Sequence, residues 1–272
     1  MKKTQIIFLT FGIILIAVLY TLPTIVVDND SDGVIMEEND LGNSLSFDEQ
    51  HSSSLSPEAQ AMIERLKGEM DLEENKEKLA IFADSTAAIY AEKGKLDSAA
   101  YFYGLVADNL PSEEKWEVAG NAYYEAFGFS MDEGKTQNLA SKTRLYLNKV
   151  LEKNPERLDL KTKVAMTYVS SANPMQGITM LREILEQDPT NESALFNMGV
   201  LSMQSGQYKR AVERFEELVS HYPSNIEGQF YLGVSYFESN QKNKAKKQFE
   251  NLKPLTTDPQ IQTGIENYLE RL

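Results

Sequence analysis

The strongest constraint on this chain is a fixed spacing of helix-stopping prolines. Pro155, Pro189 and Pro223 stand in Asn154-Pro155, Asp188-Pro189 and Tyr222-Pro223, 34 and again 34 residues apart. Each follows an amphipathic stretch, such as Leu181-Arg182-Glu183-Ile184-Leu185 before Pro189 or Phe215-Glu216-Glu217-Leu218-Val219 before Pro223. Proline lacks the amide and clashes with the preceding helical turn, so it ends a helix. A recurring stop at this period restricts the chain to a stack of small helical units, each unable to bury its apolar face without a neighbour.

Residue types inside the period define the unit. In 192–225, Leu195, Met198-Gly199, Gly206, Ala211, Phe215 and Pro223 stand at the positions of a helix-turn-helix with small residues at the crossing. The following unit repeats this with Leu232-Gly233, Tyr236, Ala245 and Phe249, Thr257 standing where proline is expected. Residues 158–191 match through Val164-Ala165, Tyr168, Gly177, Leu181 and Pro189, and upstream Trp116, Ala119-Gly120 and Tyr123 reproduce the first-helix pattern. Tyr90, Gly94, Ala99, Tyr103 and Pro111 mark a degenerate earlier unit. Glycine and alanine let paired helices approach closely while aromatic rings fill the gaps between pairs.

This pattern resembles the tetratricopeptide repeat, over residues 80–257. The resemblance implies an all-α fold: a tetratricopeptide-repeat right-handed α-solenoid with capping helices, preceded here by one transmembrane helix and a disordered linker. Residues 57–79 are expected to form an amino-terminal capping region, with Met62, Ile63, Leu66 and Met70 as its apolar stripe. Residues 258–272 are expected to form the closing helix, with Ile261, Ile265, Tyr268, Leu269 and Leu272 on one face. Pro111 and Pro155 are 44 residues apart, so about ten extra residues centre on Phe127-Gly128-Phe129-Ser130-Met131-Asp132-Glu133-Gly134. They read as an inserted loop whose phenylalanines either pack on a neighbouring repeat or meet a partner.

Ahead of the repeats lie two segments of different physics. Ile6 to Val27 carries no charge over 22 residues, enough to span about 30 Å of hydrocarbon as a helix. Lys2 and Lys3 on its amino side orient it amino-terminus inside, so residues 1–27 read as a signal anchor in the inner (plasma) membrane with the repeats exported to the periplasm. A cleaved signal peptide and a buried core helix are the alternatives, though Ala17-Val18-Leu19-Tyr20 is a poor cleavage site. Residues 28–56, rich in Asp, Glu, Asn and Ser, read as a disordered acidic linker, with an r.m.s. reach on the order of 30 Å. Nine of the 41 carboxylates fall in 28–58, where no Lys or Arg offsets them.

Composition excludes several functions. No cysteine is present and the histidines are His51 and His221, so thiol chemistry is impossible and a metal or catalytic-triad histidine has almost no candidate. A net charge of −14 argues against nucleic acid. No phosphate loop, dinucleotide turn, zinc-helix pair or nucleophile elbow occurs. Catalytic, cofactor and metal residues are therefore expected to be none, no small-molecule substrate is expected, and the chain reads as a non-enzymatic protein-binding scaffold.

The tetratricopeptide resemblance places a partner groove on the first helices. Position by position it implies Thr162, Met166 and Val169; Phe196, Val200 and Met203; and Phe230, Val234 and Phe237, with Asn121 and Tyr124 upstream. Each trio is spaced i, i+4, i+7, along one helical face. Its apolar, aromatic, methionine-rich character points to a hydrophobic peptide or amphipathic helix as guest. The competing reading has Phe230, Val234 and Phe237 packed under the closing helix. A grip on an acidic carboxyl terminus is weakly supported, because only Asn121, Lys163 and Asn197 lie near that surface. Lys242, Lys244, Lys246 and Lys247 form a basic run, either a solvated face or a contact for an anionic partner. One membrane helix followed by exported repeats also resembles accessory subunits of c-type cytochrome maturation, and a self-assembling envelope scaffold is a third reading.

Overall fold

The computed structural model describes residues 55–272, and every regular element among them is helical. Helix α1, Pro57–Asp71, begins where the Ser56 hydroxyl accepts the Ala59 amide at 3.2 Å and proline takes the first helical position. Five antiparallel helical hairpins follow among the described residues. They are α2 and α3 (Lys76–Glu92, Leu96–Asn109), α4 and α5 (Glu113–Phe129, Glu133–Leu151), and α6 and α7 (Leu158–Val169, Pro174–Gln187). Then come α8 and α9 (Glu192–Gln204, Tyr208–His221) and α10 and α11 (Ile226–Glu238, Lys242–Leu252). A short 3-10 turn leads to α12, Pro259–Glu270. The boundary expected at residues 79 and 80 thus falls inside α2.

Side-chain caps set where first helices begin. Asn191 accepts the Ala194 amide at 3.1 Å, Asn225 the Gly228 amide at 2.7 Å, and Asp258 the amides of Gln260 and Ile261 at 2.7 and 3.1 Å. The exposed prolines at 189 and 223 stand just before these caps, after the preceding helix has ended. In the last two hairpins the turn passes through a left-handed residue. Gly206 supplies it at φ +71°, and Asn240 does so at φ +64° one repeat later, where the side-chain amide tolerates that region.

Packing follows the small-residue pattern. A Cβ on Gly199 would come within 2.6 Å of the Phe215 ring, and one on Gly233 within 2.5 Å of the Phe249 ring, so both glycines admit the aromatic of the paired helix. Phe215, Phe249, Leu195, Leu218, Leu252 and Ile265 are fully buried and join the last two hairpins and α12 in one cluster. At the other end Met70 of α1 packs with Ala80, Ala83, Phe102 and Val106.

The ten extra residues before Pro155 are not a loop. They lengthen α4 and α5 to 17 and 19 residues, against 13 and 14 in α8 and α9, so this hairpin projects about one helical turn further. Phe127 stays helical and packs on the Tyr123, Ala126 and Leu139 cluster, whereas Phe129 and Met131 at the tip are 75% and 91% exposed. The tip is held: Asp132 accepts the Lys135 amide at 2.6 Å, and the Thr136 hydroxyl reaches the Asp132 carbonyl at 2.6 Å.

Among the described residues no helix is long and apolar enough to cross a membrane. The expected anchor at 1–27 and nearly all of the expected linker at 28–56 lie outside the described residues.

Candidate partner-binding face

The residues implied for the groove divide into three groups. The first joins α4 to α6. Asn121 and Tyr124 are half-buried, and the Lys163 ammonium donates to Asn121 Oδ1 at 2.6 Å while lying 5.8 Å from the Tyr124 ring centroid. Burial raises the Tyr124 phenol above its ordinary value. Tyr124 also meets Phe127 at 5.9 Å between ring centroids. One turn away Arg157 bridges the hairpins, reaching Glu117 Oε1 and Oε2 at 2.7 and 3.0 Å and Asp159 Oδ1 and Oδ2 at 2.9 and 2.8 Å. Hydrogen bonds to Asp159 and Glu117 raise the guanidinium further, and Arg157 holds the Asp159 carboxyl below the usual range.

The second group is an apolar bed on α6 and α8. Met166, Val169, Phe196, Val200 and Met203 are all half-buried, so each presents part of its side chain while the rest is fixed by the core. Phe196 is held edge-on by Phe215 at 6.1 Å and Tyr231 at 5.7 Å. Met166 rests on the Ala165, Leu181, Ile184 and Ala194 cluster. Thr162 does not share this bed: it is buried, and its hydroxyl donates to the Leu158 carbonyl at 2.9 Å.

The third group is covered. Val234 is 6% exposed and therefore offers no surface. Phe230 meets Tyr268 at 6.3 Å and Phe249 at 6.0 Å, and Gly264 lets α12 come close above it, since a Cβ there would stand 2.8 Å from the Phe230 ring. Phe237 meets Tyr268 at 5.2 Å with the Arg271 guanidinium 4.8 Å from its ring centroid. The physical reason is the closing helix, which seats its apolar face on these side chains.

On the basic run, Lys244 pairs with Glu216 at 3.3 Å and Lys246 with Glu250 at 3.9 Å, while the Tyr236 hydroxyl donates to Glu216 at 2.5 Å. Much of its charge is thus answered within the fold. The Arg157 bridge was not legible beforehand: Glu117 and Arg157 are 40 residues apart, and no periodic signal links them.

Stacked helical hairpins closed by a terminal helix define the class, an α-solenoid of helix-turn-helix units. Residues 146–249 match the family model described as surface lipoprotein assembly modifier, N-terminal TPR repeats. A crystal structure of a tetratricopeptide repeat protein from Parabacteroides merdae superposes with a TM-score of 0.56 at 18% identity, covering 78% of this chain and 79% of that one. The MamA protein gives a TM-score of 0.47 at 16% identity, over 65% of this chain and 91% of that one. YrrB, a TPR protein with an unusual peptide-binding site, gives 0.44 at 17%, over 77% and 99%. No curated protein matches the sequence. Residues 146–249 thus match a model of TPR repeats, and the fold of the described residues is that of a tetratricopeptide repeat protein.

Proposed function

We propose that this protein is a non-enzymatic adaptor that holds an apolar peptide or one face of an amphipathic helix on its first-helix face, over α6 and α8. The observation that carries this is the bed of Met166, Val169, Phe196, Val200 and Met203. Five adaptable apolar side chains on two adjacent repeats are kept half-exposed on a rigid support, which favours varied apolar guests. Helix α12 illustrates the fit: it lays Ile261, Ile265 and Tyr268 on the equivalent positions of the last repeat. The reading places residues 1–27 as an inner-membrane anchor and the repeats in the periplasm, on the sequence grounds given above. The match to repeats of a lipoprotein assembly modifier supports an envelope setting.

The test is affinity capture of the full-length chain after in-cell cross-linking, comparing wild type with Phe196→Ala combined with Met203→Ala. The expected result is loss of captured partner with helicity and melting profile preserved. Capture persisting at the wild-type level overturns the assignment. Phe230 is avoided because its ring supports α12.

A further inference from the structure

The α4–α5 tip spends two large apolar side chains on water. Phe129 and Met131 are 75% and 91% exposed, yet capped turn geometry holds them outward. Exposed Asp132 and Glu133 follow immediately, so the tip is an apolar knob with an acidic shoulder. The first-helix face offers the complement. Its bed is apolar, and beside Met166, three residues earlier on α6, the Lys163 ammonium is held by the neutral amide of Asn121 and has no carboxylate within 4 Å among the described residues. Positive charge fixed by a neutral partner keeps its attraction for an incoming anion. Glu117 and Asp159, the nearby carboxylates on that face, are both turned to Arg157.

We propose that the tip of one copy seats in the first-helix bed of a second copy, Met131 meeting Met166 while Glu133 faces Lys163. This rests on the reading of the bed as a binding surface and names its partner as this chain. Tip and bed are different patches, so the contact is heterologous: each copy presents one of each, and association runs head to tail. A tip of this size buries less than the ~800 Å² per partner of a stable complex, so exchange is fast and a covalent trap is the suitable probe.

The chain has no cysteine, so single-cysteine variants of the full-length protein report one contact each. Met131→Cys and Met166→Cys, on two differently tagged copies expressed together and oxidised in place, are expected to form a disulfide-linked pair that neither variant forms alone. Lys163→Glu is expected to cut the yield about tenfold, and adding Glu133→Lys to restore it. Phe129→Ser, which removes the tip's other exposed apolar side chain, is expected to abolish it. A Met131→Cys variant that cross-links equally well by itself shows a tip-to-tip contact and overturns the proposal, as does no cross-link in the mixture. A synthetic peptide of Asp258–Leu272, added to the Met166→Cys protein, separates the two readings. Capture of that peptide without the cross-link removes self-docking and leaves the bed as a binding surface; loss of both removes both.

Discussion

Gly177 on α7 packs against α6 more closely than any side chain allows. A Cβ built there overlaps the Ala165 carbonyl oxygen and stands 2.7 Å from both the Val169 amide nitrogen and its Cγ2. Two of these three neighbours are backbone, so no rotamer change relieves the clash and the helices must part by about 1 Å to restore ordinary contact. Overpacking of this kind costs about 1–3 kcal/mol, and the backbone contact puts Gly177→Ala at the upper end. Alanine returns about 1 kcal/mol of helix propensity, leaving a net loss of about 2 kcal/mol. Gly68 in α1 is the control, because nothing lies within 4 Å of its Cβ position and only the propensity gain remains. By thermal unfolding followed by circular dichroism, Gly177→Ala is expected to melt about 4–8 °C below wild type and Gly68→Ala about 2–4 °C above it. Gly177→Ala melting at or above Gly68→Ala refutes the reasoning, since the close approach would then carry no cost. Because Val169 lies at the clash and also in the bed, Gly177→Ala is further expected to weaken partner capture.

The covered and open ends of the first-helix face respond differently to truncation. Phe230→Ala leaves a cavity under α12 and is expected to cost about 3–5 kcal/mol in urea unfolding, whereas Val200→Ala, already half-exposed, is expected to cost about 1 kcal/mol or less. Equal losses would place both residues in the same environment and contradict the division. Burial raises the phenols of Tyr123, Tyr146 and Tyr236 well above the ordinary value, and carboxylates at Asp108 and Glu216 add to the shift in Tyr146 and Tyr236. A raised folded value means that stability is fully present below about pH 10 and falls as pH rises beyond it. Ultraviolet phenolate titration is expected to show these three ionising only as the helical signal is lost, and their ionisation in a fully helical protein would contradict their burial. Arg157→Gln leaves Glu117 and Asp159 unpaired at partly exposed positions and is expected to cost about 1 kcal/mol at neutral pH. Since Arg157 depresses the Asp159 carboxyl, that contribution is present above about pH 4 and lost as pH falls through the folded value, so variant and wild type converge in acid. A difference that persists in acid would assign the loss to packing.

The repeats were legible because their determinants are local and periodic: Gly199 with Phe215 and Gly233 with Phe249 are the same contact written twice, 34 residues apart. The extra residues of the long hairpin look like a loop in sequence for a physical reason. Gly128, between two phenylalanines, reads as a breaker, but nothing lies within 4 Å of its Cβ position and the helix runs on to Phe129, turning only at Ser130-Met131-Asp132. Pairs that join hairpins, such as Lys163 with Asn121, are 42 residues apart and leave no mark in either segment alone.

The first-helix face shows why register cannot separate open surface from core. Phe196 and Phe230 stand 34 residues apart at the same place in their units, and each is flanked by an aromatic ring of the next helix, Tyr231 for the first and Tyr268 for the second. Their neighbours then diverge. Val200 and Met203 stay half-exposed, whereas Val234, in the register of Val200, is buried and Phe237 is capped by Tyr268 and Arg271. The difference lies in the covering helix. Helix α10, above Phe196, continues the solenoid with its own second helix, whereas α12 turns Ile261, Ile265 and Tyr268 onto the hairpin before it, with Gly264 removing the side chain that would hold it away. A residue's exposure on this face is thus set by the packing of the element that follows it, and the repeats that α12 leaves uncovered keep the apolar surface to which we assign binding.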